Sequence, residues 1–132
     1  MSPFRFVEKV RRGQALPLNG DGKQSRDFTY IDDIARGTLN ALKVRGFHLI
    51  NLGGNKGSSL MELIKHIERN LGKKARIKRL PALKVDMRHT RADISKAKKI
   101  LSWSPAISLS EGIKRTVTWH LKNASLAAKA DR

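Results

Sequence analysis

Two arginines stand out for the chemistry that their side chains allow. Arg26 lies in Gly20-Asp21-Gly22-Lys23-Gln24-Ser25-Arg26-Asp27-Phe28-Thr29-Tyr30-Ile31-Asp32-Asp33, and Arg88 lies in Lys84-Val85-Asp86-Met87-Arg88-His89-Thr90-Arg91. A guanidinium is permanently charged and planar, so two of them can grip a diphosphate through paired hydrogen bonds, which lysine does less well. Taken singly, each arginine reads as a solvated charge, and spacing alone does not bring them together.

Other chemistries find little support. The chain has no cysteine, which excludes thiolate nucleophiles, disulfides and thiolate metal sites. There is no Gly-x-Ser-x-Gly. His48, His66, His89 and His120 are far apart, and no two share the i, i+4 spacing of a helical metal site. The turn Gly53-Gly54-Asn55-Lys56-Gly57 stands where phosphate-cradling loops stand, ahead of a helix N-terminus. Its order fits neither Gly-Lys-Ser/Thr nor G-x-G-x-x-G, so it reads as a tight strand-to-helix turn. No catalytic residue and no metal ligand is assigned.

The elements that must hold these residues follow from hydrophobic period and end signals. Phe4, Val7 and Val10 predict a short helix closed by Gly13. Residues 15–18 and 26–30 read as short extended pieces around a turn rich in Gly and Pro. Ile31, Ile34, Ala35, Thr38, Leu39 and Leu42 form one face of a helix, capped by Asp32 or Asp33 and stopped by Gly46. Residues 47–52 (FHLINL) read as a strand that is apolar on both faces and needs cover on both sides. Ser59 with Glu62 has capping-box spacing and opens a helix with Leu60, Leu63, Ile64, Ile67 and Leu71 inside, ended by Gly72. Residues 75–80 predict a strand cut by Pro81. Asp93 caps a helix carrying Ile94, Ala97, Ile100 and Leu101. Ser108 with Glu111 opens the last helix, with Leu109, Ile113, Val117, Leu121 and Ala124 on its face. The fold class is α/β of an α+β-like, helix-rich kind, with a few short strands. Residues 1–124 form one lobe, and 125–132 a disordered tail.

Lys and Arg number 28 against 11 Asp and Glu, for a net charge of +17. Such a field draws polyanions without naming one. The excess is densest from Lys73 to Arg91, which leaves open a basic nucleic-acid-binding module. Against that stand the absence of a nucleic-acid motif and the few aromatics: four Phe, two Trp and one Tyr. No apolar run reaches the length of a membrane span, and the first residues lack the apolar stretch of a signal peptide. A soluble cytoplasmic protein is expected.

Four blocks carry a family resemblance. They are residues 16–34 (LPLNGDGKQSRDFTYIDDI), Ile50-Asn51-Leu52-Gly53-Gly54 followed by Ser59-Leu60-Met61-Glu62-Leu63-Ile64, residues 86–97 (DMRHTRADISKA), and Leu101-Ser102-Trp103-Ser104-Pro105 through Leu109-Ser110-Glu111-Gly112-Ile113. In this order and spacing they resemble the carboxy-terminal, substrate-binding part of NAD-dependent nucleotide-sugar epimerases and dehydratases, the extended short-chain dehydrogenases/reductases. The subgroup they look most like is the UDP-glucuronate 4-epimerases of carbohydrate biosynthesis. The resemblance implies that Arg26 and Arg88 hold the nucleotide diphosphate, and that Leu18 and Asn19 lie near the base. Many members carry an aromatic where this chain has Asn19, a departure that leaves no ring to stack on a base at that position. Phe28, Tyr30, Asp32 and Asp33 are implied to position their segment.

The family's NAD fingerprint and its Tyr-x-x-x-Lys pair lie upstream of the blocks matched here, and the single tyrosine, Tyr30, has no lysine three or four residues on. The expectation is therefore a truncated lobe that is inactive alone, with no N-terminal Rossmann domain and no cofactor of its own. NAD belongs to the complete enzyme. UDP-sugar affinity is expected to be weak or lost. The exposed strand 47–52 is expected to be covered by a second copy or by a separate NAD-binding chain. A self-associating remnant is the remaining alternative.

Overall fold

The computed structural model describes residues 3–83 and 85–126. The elements are α1 (Pro3–Arg11), β1 (Ala15–Asn19), β2 (Ser25–Asp27), α2 (Ile31–Ala41), β3 (Gly57–Ser59), α3 (Leu60–Leu71), β4 (Arg76–Leu80), α4 (Ser95–Leu101) and α5 (Leu109–Lys122). The tail expected to be disordered lies, from residue 127 on, outside the described residues.

α3 forms where its end signals stand. Ser59 Oγ accepts the Glu62 N–H at 3.1 Å, and Gly72 closes the helix in the left-handed conformation at φ 63. Its buried face carries Leu60, Leu63, Ile64 and Ile67, which pack with Phe6, Val7 and Val10 of α1, Leu16 and Leu18 of β1, and Ile113 and Val117 of α5. Each of these side chains contributes roughly 1.5–3 kcal/mol by leaving water. A charged residue in place of Ile67 would break this core. α5 starts in the same way, with Ser108 Oγ accepting the Glu111 N–H at 3.2 Å.

β1 and β4 form a parallel pair in the register Ala15↔Arg76 to Asn19↔Leu80. β2 and β3 form an antiparallel pair in which Arg26 opposes Ser58. β2 is shorter than the extended piece read from the sequence.

A buried side-chain hydrogen bond ties the two end helices together. Glu8 of α1 and His120 of α5 are fully buried and hydrogen-bonded to each other. Glu8 also accepts hydrogen bonds from Arg11, at 2.9 and 3.0 Å, and from Arg12. The Arg11 bond comes first in weight. Against the opposing effect of burial, it acts with His120 and Arg12 to hold the Glu8 carboxyl at about 2.

Three expectations are corrected. Residues 47–52 are not a strand, because no strand among the described residues lies beside them to complete a ladder. Ile50 and Leu52 pack on a small cluster around Trp103, Ile94, Ala97 and Leu101, while Phe47 is 95% and Leu49 76% exposed. The α2 stripe points outward, with Ile31, Leu39 and Leu42 all exposed. The buried face of α2 is that of Asp33 and Gly37. A Cβ on Gly37 would stand 2.7 Å from Leu52 Cδ1 and 3.0 Å from Trp103 Nε1, so the helix sits at glycine distance from both. Lastly, neither Asp32 nor Asp33 caps α2; the cap position is Tyr30, without a side-chain bond. The Asp33 carboxylate instead takes the N–H groups of Ala106, at 3.0 Å, and Ile107, at 2.8 Å, while its carbonyl takes Trp103 Nε1 at 2.8 Å. Among the described residues no helix is long and apolar enough to cross a membrane.

Candidate functional site

The site is built where β2 meets the segment after β4. The Ser25 N–H donates to the Arg88 carbonyl at 2.9 Å, and the Thr90 N–H donates to the Ser25 carbonyl at 3.2 Å. Ser25 and His89 thus form a parallel bridge, reinforced by Ser25 Oγ and His89 Nδ1 at 2.9 Å. Side chains alternate across extended backbone, so Arg26 and Arg88 leave toward the face opposite this Ser25–His89 contact. Residues that no sequence spacing could join are brought onto one face by a backbone bridge.

Beside them is a cleft of about 370 Å³ lined by Asn19, Gly20, Asp21, Gln24, Ala82, Leu83, Asp86 and Arg88. Its rim is fixed by backbone. The Gly20 N–H donates to the Leu80 carbonyl at 2.9 Å, with Gly20 at φ 71, where a side chain would be strained. Gln24 Nε2 donates to the Asn19 carbonyl at 2.8 Å. Arg88 is exposed. Arg26 is half-buried, gives one N–H to the Ser25 carbonyl at 2.7 Å, and pairs with the Asp86 carboxylate.

The four residues singled out in the sequence are placed differently. Arg88 and Asn19 line the cleft, and Arg26 reaches its wall through Asp86. Leu18 is fully buried in the main core and offers a ligand no surface. Sequence reasoning missed Asp86 as the partner of Arg26; its place two residues before Arg88 in the same block was the available signal. It also missed Asp27. Asp27 Oδ2 accepts the N–H groups of Ala92, at 2.8 Å, and Asn55, at 3.2 Å, which ties β2 to both neighbouring loops.

The glycine turn at 53–57 does not fit a dinucleotide. A Cβ on Gly54 would stand 2.5 Å from Asp27 Oδ1 and 2.6 Å from the Phe28 carbonyl, so the space that glycine leaves is filled by the protein itself. No G-x-G-x-x-G occurs in the 132 residues.

Comparison with known proteins gives this arrangement a lineage. A UDP-glucuronic acid 4-epimerase from Bacillus cereus, solved with UDP-glucuronic acid and NAD, superposes with a TM-score of 0.85 at 36% identity, over 92% of this chain and 40% of that one. An epimerase from Methanothermobacter thermautotrophicus gives 0.89 at 28% identity, over 98% and 40%. A UDP-glucuronate 4-epimerase from Thermodesulfobacterium geofontis is 51% identical over 96% of this chain and 39% of its own length. The fold is thus that of the carboxy-terminal lobe of extended short-chain dehydrogenases/reductases that act on nucleotide sugars. The family model for GDP-mannose 4,6 dehydratase matches residues 3–116, and the chain belongs to that family. It spans about two fifths of the length of the relatives it matches.

Proposed function

We propose that this chain is the substrate lobe of a UDP-sugar epimerase, holding the ligand's diphosphate between Arg26 and Arg88. The observation that carries the reading is the Ser25–His89 bridge, which sets the two guanidinium-bearing positions on one face beside a cleft. Two permanently charged forks there offer paired phosphates short, charge-assisted hydrogen bonds. Asn19, at the end of β1, stands where the base would rest, and without an aromatic it offers hydrogen bonds rather than stacking. The sugar choice within the UDP-glucuronate 4-epimerase kind rests on the 51% identity with one such enzyme.

Hydride chemistry in this reading is supplied by an NAD-binding domain outside these 132 residues, since none of them provides the nicotinamide site or the tyrosine base. The surface left for that domain is the outer face of α2 continued into residues 47–52. Ile31, Leu39, Leu42, Phe47 and Leu49 are all more than half exposed there, and large apolar side chains left open in this way suit a docking surface. Where that domain is lacking, a second copy of the chain takes its place.

Calorimetry with UDP and UDP-glucuronate tests the site. Saturable heat with the chain, lost in Arg26→Ala and in Arg88→Ala, is expected. Absence of heat at millimolar ligand would overturn the reading.

A further inference from the structure

A second cleft, also of about 370 Å³, lies between the start of α3 and the start of α5. It shares no lining residue with the cleft beside Arg88. We propose that it binds a single phosphate group, free or as the head of a small phosphomonoester.

The first support is the helix end that faces it. Ser108, Leu109 and Ser110 line the cleft, and Leu109 opens α5, a helix of 14 residues. The first-turn amides of Leu109 and Ser110 have no acceptor within the helix, and the cap hydroxyl of Ser108 is spent on Glu111. They therefore present N–H donors and the positive end of the helix dipole to the cleft. α3 does not compete for this role, because its Leu60 and Met61 N–H groups donate to the Gln24 carbonyl at 3.2 Å and the Gly22 carbonyl at 3.3 Å.

The second support is independent of any helix. Ser58 is 5% exposed, lines the cleft, and its hydroxyl has no hydrogen-bond partner among the described residues. That oxygen is not among the fully buried unpartnered atoms, so it is open to the cleft and available to a ligand oxygen there. Lys56, on the same wall, forms no ion pair among the described residues, so its ammonium is available to an anion.

One residue opposes a bare anion and points to the rest of the ligand. Glu62 also lines the cleft. Its carboxylate repels a phosphate set against it but accepts hydrogen bonds from hydroxyl groups. A phosphate seated at Lys56, Ser58 and the α5 amides, with a hydroxylated remainder toward Glu62, satisfies both ends. Phe28 and Pro105 supply an apolar wall between them.

The test is an amide-resolved NMR titration of the full chain with inorganic phosphate and, separately, with glycerol 3-phosphate, each against sodium chloride at equal ionic strength. The chloride arm removes the general attraction of a +17 surface for anions. Saturable shifts at the Ser58, Leu109 and Ser110 amides are expected. Lys56→Ala should weaken them by about tenfold, the effect of one charge-assisted bond, and Ser58→Ala should weaken them without unfolding the chain. Arg26→Ala with Arg88→Ala should leave them in place, so failure here and failure of the UDP-binding reading are read separately. Tighter binding of glycerol 3-phosphate than of phosphate identifies a phosphomonoester as the ligand; equal binding identifies the free anion. Shifts no larger than chloride produces, an affinity unchanged in Lys56→Ala, or shifts that vanish with the two arginines overturn the proposal.

Discussion

The Arg26 guanidinium is paired with the Asp86 carboxylate, sixty residues further along the chain, at the wall of the cleft that Arg88 lines. The pair is part-exposed, at 23% and 29%, so water screens it and it stabilises the fold by at most about 1 kcal/mol. In the proposed reading, the cation offered to a diphosphate is thus already set in orientation by Asp86. Arg26→Ala should therefore shift thermal stability only slightly while weakening UDP by tenfold or more, the scale of a lost charge-assisted bond. Arg26→Lys should not restore affinity, because one ammonium cannot reproduce the fork. Unfolding of Arg26→Ala at ordinary temperature would instead make the residue structural.

Acid should unfold the chain through α1 and α5. The Glu8 carboxyl is lowered from 4.5 to about 2, chiefly by its bond from Arg11. A group whose folded value is depressed stabilises above its unfolded value and loses that contribution as pH falls toward the folded one. The window is therefore about pH 4.5 down to 2, and the loss roughly 3 kcal/mol. Glu8→Gln should remove this pH dependence and cost roughly 3–5 kcal/mol at neutral pH, as breaking a buried pair does. Melting curves across pH measure both, and an unchanged acid slope in Glu8→Gln would contradict the assignment.

Asp33 should act on a loop more than seventy residues away. Burial raises its carboxyl, but the bonds from the Ile107 N–H, the Arg36 guanidinium and the Ala106 N–H outweigh this and leave it lowered. Asp33→Ala strands two backbone donors and should cost about 3 kcal/mol. Hydrogen exchange should speed up at the Ala106 and Ile107 amides first. Uniform acceleration over the chain would mean that the contact is not local.

The apolar face should reveal itself by association. Alone, the chain is expected to sediment as a concentration-dependent oligomer. Leu42→Glu with Phe47→Glu should make it monomeric without lowering its melting temperature, since both side chains are exposed, at 79% and 95%. A monomeric wild-type chain would contradict the docking role of that face.

Salt separates the nucleotide-sugar reading from nucleic-acid binding. A UDP-sugar carries two phosphates, so its affinity should fall gently with salt, whereas nucleic acid contacting many phosphates should fall by orders of magnitude over the same range. Tight, steeply salt-dependent capture of single-stranded RNA, with no UDP binding, would reverse the assignment.

What could be read in the sequence was local. Ser59 with Glu62, Ser108 with Glu111, and Gly72 act within one turn, and each stands in the structure as its spacing implies. The residues 47–52 misled because a strand is a property of two segments, and no second segment pairs with them in a ladder among the described residues. The α2 stripe misled similarly: period identifies an apolar face but not what covers it. Asp33 reads as a cap by type and position, yet its acceptors are filled from residues 106 and 107. Glu8 and His120 join across 112 positions, where no periodicity reports. The two arginines were legible only through the family blocks, and Asp86, which orients one of them, was not.

In the proposed function, the cleft at Arg26 and Arg88 holds a sugar-nucleotide diphosphate. Phosphorus NMR of UDP-glucuronate in the presence of the chain tests it most directly. Both diphosphate resonances should shift and broaden on addition of the wild-type chain and return to their free positions with the Arg26→Ala, Arg88→Ala chain. Unmoved resonances with the wild type, or equal shifts with the double variant, would contradict it.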